Sequence, residues 1–410
     1  MSAGPLEGVR VLDLSRVLAG PWAAQVLGDL GADVIKIERP GAGDDTRTWG
    51  PPWVEGMEAT AAYYLATNRN KRSLAVDMAH PEGAELIREI AKHCDILVEN
   101  FKVGSLARYG LDYESLRAVN PRLIYCSITG FGQDGPYAKR GGYDFLVQGM
   151  GGLMSMTGPL DGEPTKVGVP VIDLLTGLYA VIGIQAALRH RDATGQGQWV
   201  DCSLLDTSVA ILANQGMNHL VGGVIPKPMG NGHPNVVPYR TFPTRDGHII
   251  IAVGNDGQFR LLCGVLGCPD LASNSDFATN AARVTNRDRL EALLRDITTT
   301  RDSADLLSAM EAAGVPGGPI NRLPEVFADP QVQARGMVVE IDREGHAPMQ
   351  LTRLPIRLSE SPASIRHLPP ALGADGDALL SELNIPEARR ADLIARGIVS
   401  APKPAKARTE

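Results

Sequence analysis

Apolar residues in the first third of the chain fall into short runs at regular intervals, separated by segments whose apolar positions repeat at helical spacing. Residues 9–15, 32–38, 73–77, 95–101 and 123–129 each predict a strand. Between them, 21–30 predicts a helix opened by Pro21 and stopped by Gly31, and 81–93 and 112–118 predict two more. Such alternation of short apolar strands with helices implies an α/β fold, a doubly wound, Rossmann-like parallel sheet forming a large domain. The pattern changes after residue 220. Pro-Lys-Pro-Met-Gly-Asn-Gly-His-Pro-Asn at 226–235 is turn-rich. Residues 239–253 predict a hairpin turning at Asp246-Gly247, followed by helices at 256–266, 287–297 and 302–313. The chain therefore divides into 1–220, the first part of a large α/β domain; 226–330, a smaller α+β domain; and 335–400, a return segment to the large domain with an irregular stretch at 356–370 and a helix at 377–395. The Lys- and Pro-rich end, 401–410, predicts a disordered tail.

Composition narrows the chemistry. The 410 residues suffice for two domains, and a net charge of −7 gives no reason to expect nucleic acid as a partner. The eight histidines form no HxH or HxxxH, and the five cysteines form no CxxC, so no metal site is expected. Cys94, Cys126 and Cys202 fall in buried-strand contexts, as reduced core thiols of a cytoplasmic protein would. The first residues lack an apolar signal core, and the longest apolar stretch, 167–188, is interrupted by Asp173 and Gln185, so no membrane span is expected.

That interruption is the most informative position. Asp173 stands alone in Val167-Gly-Val-Pro-Val-Ile-Asp-Leu-Leu-Thr-Gly-Leu, with no cation within five residues. Residues 174–191 predict a long helix, which puts Asp173 at its N-terminus. The helix dipole favours a carboxylate there by about 0.3–2 kcal/mol, whereas full burial costs several. Asp173 should then face a polar cleft, ionised and partly desolvated, as suits a carboxylate nucleophile; the competing reading is a helix N-cap. Familiar nucleotide motifs are missing. The turn after the first strand, Arg16-Val-Leu-Ala-Gly-Pro, holds one glycine where a dinucleotide fingerprint needs three, and there is neither a P-loop nor GxSxG. Instead, Arg39, Lys71, Arg72, Lys102 and Arg108 cluster at the strand ends and crossovers, with Phe101 among them. In a doubly wound fold those ends meet at one crevice, where cations suit a phosphorylated ligand and Phe101 offers an apolar face to a base.

Several stretches, in order, carry a resemblance: Val11-Leu-Asp-Leu-Ser-Arg-Val-Leu-Ala-Gly-Pro, Gly31-Ala-Asp-Val-Ile-Lys-Ile-Glu-Arg-Pro-Gly, Asn70-Lys-Arg-Ser, Val98-Glu-Asn-Phe, Gly142-Tyr-Asp and the Asp173 segment. They resemble the class III CoA-transferases, the family of formyl-CoA and carnitine CoA-transferases and of α-methylacyl-CoA racemase. Residues 41–52, Val237-Pro-Tyr and Gly254-Asn-Asp-Gly-Gln-Phe are most similar to the dicarboxylate-accepting, succinyl-CoA:glutarate-type members. The resemblance implies that Asp173 is the nucleophile, that Val17, Leu18, Ala19, Arg39, Lys71, Asn100, Phe101, Arg108 and Tyr143 contact CoA, and that two ring-like chains interlink as a homodimer. It implies a CoA thioester and small carboxylic acids as substrates, with no permanently bound cofactor. Arg16 and Arg47 are candidates for a distal substrate carboxylate, and the backbone of the loop containing Gly254, Asn255, Gly257 and Gln258 for an oxyanion site or lid. The formyl-CoA enzyme has Gln where this chain has Leu18, which points away from formyl or oxalate chemistry; its flap has four successive glycines where the matching stretch here has two, which bears on that stretch's mobility as a lid. The alternative is an α-methylacyl-CoA racemase. Racemases carry His at the position of Tyr143, and a phenol with a pKa of about 10 is a poor base for removing an α-proton.

Overall fold

The computed structural model describes residues 4–57, 60–343 and 345–400, so the expected tail at 401–410 lies outside the described residues. The chain forms two compact units, one of Met1–Gly152, Val167–Gly216 and Gln333–Glu410, the other of Leu153–Lys166 and Met217–Val332. Segment 153–166 thus leaves the large part to which the sequence reading gave it; the amide of Gly230 donates to the Gly158 carbonyl at 3.0 Å.

In the first unit, β1 (Arg10–Asp13), β2 (Asp33–Glu38), β3 (Lys71–Val76), β4 (Ile96–Glu99), β5 (Ile124–Thr129) and β6 (Trp199–Ser203) run parallel in the order 3-2-1-4-5-6. The order reverses between β1 and β4, and a crevice opens there beyond the C-terminal strand ends. Strand residues alternate between two buried faces. Leu12, Ile35, Leu74, Leu97 and Tyr125 join one core with Ile87 of α2 (Pro81–Ala91) and Leu116 of α3 (Tyr113–Val119). The other face carries Val11, Val34, Ala75 and Ile96, all buried. It is covered by α1 (Ala19–Asp29) and the long α5 (Val171–Thr194), with α4 (Asp144–Met150) beside α5. Helix α5 is long and apolar enough to cross a membrane. In this fold it packs against α1, β5 and β6. Gly177 makes the first contact possible, since a Cβ there would stand 2.6 Å from the Ala19 carbonyl oxygen.

The second unit contains the hairpin β7 (Tyr239–Pro243) and β8 (His248–Ala252), extended by β9 (Gly317–Pro319). Phe242, Ile249 and Ile251 pack on Phe259 and Leu262 of α6 (Asp256–Leu266), Leu290 and Leu294 of α7 (Arg287–Thr298), and Leu306 of α8 (Ser303–Ala312). The returning chain forms an antiparallel pair, β10 (Val338–Arg343) with β11 (His346–Thr352), then α9 (Gly376–Glu382), α10 (Glu387–Ala395) and β12 (Val399–Ser400), which pairs antiparallel with β3. The single helix expected at 377–395 is therefore two. The break falls at 383–386, where Asn384 adopts φ +59° and Pro386 follows. Helix α1 starts at Ala19, which puts Pro21 inside its first turn, where a missing N–H leaves no hydrogen bond unmade. Cys94 is buried in the turn before β4 rather than in a strand.

Candidate active site

Asp173 lies in the first turn of α5, half-buried, and it is not the N-cap. The cap is supplied from another helix. Asp144, at the start of α4, accepts the amides of Ile172 (2.8 Å) and Asp173 (3.2 Å) on one oxygen, and Gln148 Nε2 donates to the other at 2.6 Å. Asp173 is thus left without the role of satisfying its own helix. Among the described residues no ion pair reaches it. Burial, and then the charge of Asp144, push its carboxyl up to about 7. The ionised state expected from sequence is corrected to a carboxyl near its midpoint at neutral pH, because desolvation and Asp144 outweigh the helix dipole. The same two carboxylates reach Tyr63, whose phenol is raised by burial and then by Asp173 and Asp144. Asp144 is the functional residue that sequence reasoning overlooked, although Gly142-Tyr-Asp was among the motifs carrying the resemblance.

Within the same unit a cleft of about 490 Å³ opens at the C-terminal ends of β1 to β4. Leu14 and Arg16 line it after β1, Arg39 and Pro40 after β2, Asp77, Met78 and Ala79 after β3, and Phe101, Ser105, Arg108 and Tyr109 after β4. Apolar side chains such as Leu14, Ile37, Val76 and Phe101, with Arg16, Arg39 and Arg108 beside them, suit a nucleotide carrying phosphates, while Lys36, Glu38 and Asp44 also line the cleft. Of the strand-end group, Arg39, Phe101 and Arg108 line this cleft, and Arg16 lines it beside them. Met78 and Ala79 were missed, though they follow β3 as the other lining residues follow their strands.

Several other candidates sit elsewhere. Lys71 is fully buried, and its three N–H groups are directed at Asp13 (2.8 Å), the Pro21 carbonyl (2.9 Å) and Asn68 (3.1 Å). Burial lowers its pKa to about 8 against the pull of Asp13. An ammonium so committed has no donor left for a CoA phosphate. Arg47 is likewise interior. Glu38 takes its bidentate edge at 2.8 and 2.7 Å, and Tyr64 and the Pro370 carbonyl accept at 2.7 and 3.0 Å. That geometry is a framework ion pair and does not fit a grip on a substrate carboxylate. Arg16 is exposed, bonded to Asp45 at 3.2 Å and placed over the Phe101 ring at 5.3 Å. Val17 occupies the β1–α1 turn, while Leu18 and Ala19 are buried beside it. Asn100 turns its amide to the backbone of Arg16. Tyr143 is 70% exposed, at the N-cap of α4.

In the second unit, Asn255 caps α6 by accepting the Gln258 amide at 2.9 Å, and the Gln258 side chain accepts the Gly254 amide at 2.7 Å. Two of the amides expected to serve an oxyanion are therefore engaged in a reciprocal cap. Gly257 lies within the helix, so the segment is a helix start and not a glycine-rich strap.

The sequence matches CoA-transferase family III over residues 6–376. The chain belongs to this family. It is 53% identical over 382 residues to the succinate–glutarate CoA-transferase of Agrobacterium fabrum, covering 92% of this chain and 96% of that one. It is 45% identical to the succinyl-CoA:glutarate CoA-transferase of Homo sapiens, covering 96% and 90%. Among solved structures, a CAIB/BAIF family protein from Brucella suis superposes with a TM-score of 0.83 at 52% identity, over 93% of this chain and 100% of that one. This family III protein is an enzyme of the CoA-transferase type with a mixed α/β fold around a large parallel sheet.

Proposed function

We propose that this CoA-transferase moves CoA from succinyl-CoA to a free dicarboxylic acid, glutarate first among them, through a covalent intermediate on Asp173. The observation that carries the reading is an unpaired, half-buried carboxyl on a helix whose N-terminus is already capped by Asp144. Desolvation removes the water shell that would blunt a carboxylate nucleophile. The ionised Asp173 attacks the thioester carbonyl, the C–S bond breaks, and an aspartyl–succinyl anhydride and CoA thiolate result. The thiolate attacks the aspartyl carbonyl, releasing succinate and leaving an aspartyl-CoA thioester. The acceptor carboxylate then attacks that thioester and expels the thiolate. The thiolate in turn attacks the acceptor's carbonyl, which yields the new acyl-CoA and restores Asp173. Every step trades one activated acyl bond for another, so the cycle balances without an external energy source.

The cleft lined by Arg39, Met78, Phe101 and Arg108 would take the nucleotide end of CoA. Arg16, exposed at its edge, is the remaining candidate for a substrate carboxylate. The proposal extends to a cytoplasmic homodimer without nucleic-acid or membrane partners. Leu178, Tyr179 and Ile182 of α5 and Phe145, Leu146 and Met150 of α4 are exposed apolar side chains that a second copy would cover.

A panel of acids supplied with succinyl-CoA and read by mass spectrometry tests the reading. Glutaryl-CoA formation with release of succinate supports it. Deuterium entering the α-carbon of an acyl-CoA with no acceptor present, and no exchange, would favour racemase chemistry instead.

A further inference from the structure

The turn from β1 to α1 holds a conformation that its own sequence disfavours. Val17 has φ +70°, in the left-handed region that a β-branched residue rarely enters. The backbone around it is gripped group by group by side chains. Ser15 donates its amide and hydroxyl to Asp13 Oδ1 at 3.0 and 2.5 Å, and its carbonyl accepts Lys36 Nζ at 3.0 Å. The amide of Val17 is shared between both oxygens of Asp44 at 3.3 Å. Arg16 is held at both ends: its amide donates to Asn100 Oδ1 at 2.9 Å, and its carbonyl accepts Asn100 Nδ2 at 2.7 Å. Asp13, Lys36 and Asp44 are buried and fix one another, Lys36 Nζ lying 3.0 Å from Asp44 and Lys71 Nζ 2.8 Å from Asp13. Among the described residues, Asn100 alone holds it from the far side of the crevice, just beyond the end of β4.

We infer that Asn100 is a positioning residue whose amide clamps the Arg16 peptide groups, keeps Val17 left-handed and thereby fixes the wall of the CoA cleft. The inference rests on the CoA-transferase reading of that cleft. The wall in question is Leu14 and Arg16, with the Arg16 guanidinium over Phe101, the residue after Asn100. A clamp that joins the two sides of the crevice keeps both lining residues in register before the ligand arrives. Binding then requires no ordering of the turn. A strained backbone persists only where its surroundings over-determine it, and here four side chains, Asp13, Lys36, Asp44 and Asn100, do so.

A double-mutant cycle on CoA affinity, measured by calorimetry with the full chain and free CoA, tests the clamp. Asn100→Ala should weaken CoA binding by about tenfold or more. Val17→Gly makes the left-handed turn free of strain, so in the Val17→Gly background the same Asn100→Ala change should cost about fivefold less. Equal losses in both backgrounds would mean that Asn100 touches CoA directly, and would overturn the clamp. Amide hydrogen exchange supplies a readout independent of CoA and of the Asn100→Ala variant's ability to fold. In the unaltered protein the Arg16 amide should be protected although its side chain is exposed, and exchange at the rate of a free loop would overturn the inference. Succinyl-CoA exchange on the unaltered protein separates the two ideas. A protected Arg16 amide without CoA exchange leaves the clamp standing and removes the transferase reading.

Discussion

Burial and Asp144 lift the Asp173 carboxyl to about 7, so its proton leaves within the range where the enzyme would work. The ratio kcat/KM, which reports the free enzyme, should rise with pH through an inflection near that value. Asp144→Asn keeps an oxygen to cap Ile172 and Asp173 while removing the charge that opposes ionisation. Its pH–rate inflection should move to lower pH; an unmoved inflection would remove Asp144 from the electrostatic account. Stability carries the same imprint. A carboxyl whose folded pKa lies above its unfolded value favours the folded state at low pH, and that contribution is lost as pH rises from about 4 towards the folded pKa. Asp173→Asn lacks this dependence. Its stability relative to the parent should therefore improve by about 1–3 kcal/mol between acid and mildly alkaline pH, followed by thermal melting across that range. Asp173 was legible in the sequence because a lone acid in an apolar run demands an explanation. Asp144 was not, because its work is done across 28 residues of chain, on the amides of another helix.

At the scale of elements, strands β2 and β3 bury polar and charged groups beside their hydrocarbon. Lys36, Glu38, Lys71 and Ser73 are buried on the strands, and Arg47 closes over Glu38. Arg47→Ala would leave Glu38 buried with its main cation gone. It should destabilise the fold by about 3–5 kcal/mol in denaturant unfolding, where a substrate-binding arginine would instead change only KM. Gly177→Val tests the seating of the nucleophile's helix. A side chain there collides with the Ala19 carbonyl and Trp22, so α5 must move away from α1, at a cost of about 1–3 kcal/mol with loss of activity. Strands β1 to β5 could be read from sequence because each carries a short cluster rich in Val, Ile and Leu between helical segments. Strand β6 could not, since Trp199, Val200, Asp201 and Cys202 alternate between exposed and half-buried at the sheet's edge. Lys71 misled for a related reason. A lysine beside an arginine reads as surface, but it opens β3 with its ammonium turned inward to Asp13, a partner 58 residues away.

For the whole molecule, the exposed apolar stripe on α4 and α5 argues for a second copy of the chain. Sedimentation should give twice the mass of the chain, and Tyr179→Glu with Ile182→Glu should shift it towards the monomer; a monomeric parent protein would contradict the assembly. The alternation of strands and helices and the change of pattern after residue 220 were visible in sequence, but the exchange of segment 153–166 between units was not, because it has no periodicity to read. Everything about catalysis turns on whether the acyl group and then CoA pass through Asp173. Hydroxylamine added during turnover with succinyl-CoA, followed by peptide mass spectrometry, tests this most directly. A hydroxamate at Asp173, absent without succinyl-CoA and absent in Asp173→Ala, is the predicted result. Full exchange activity with no modification at Asp173, or activity retained in Asp173→Ala, would contradict it.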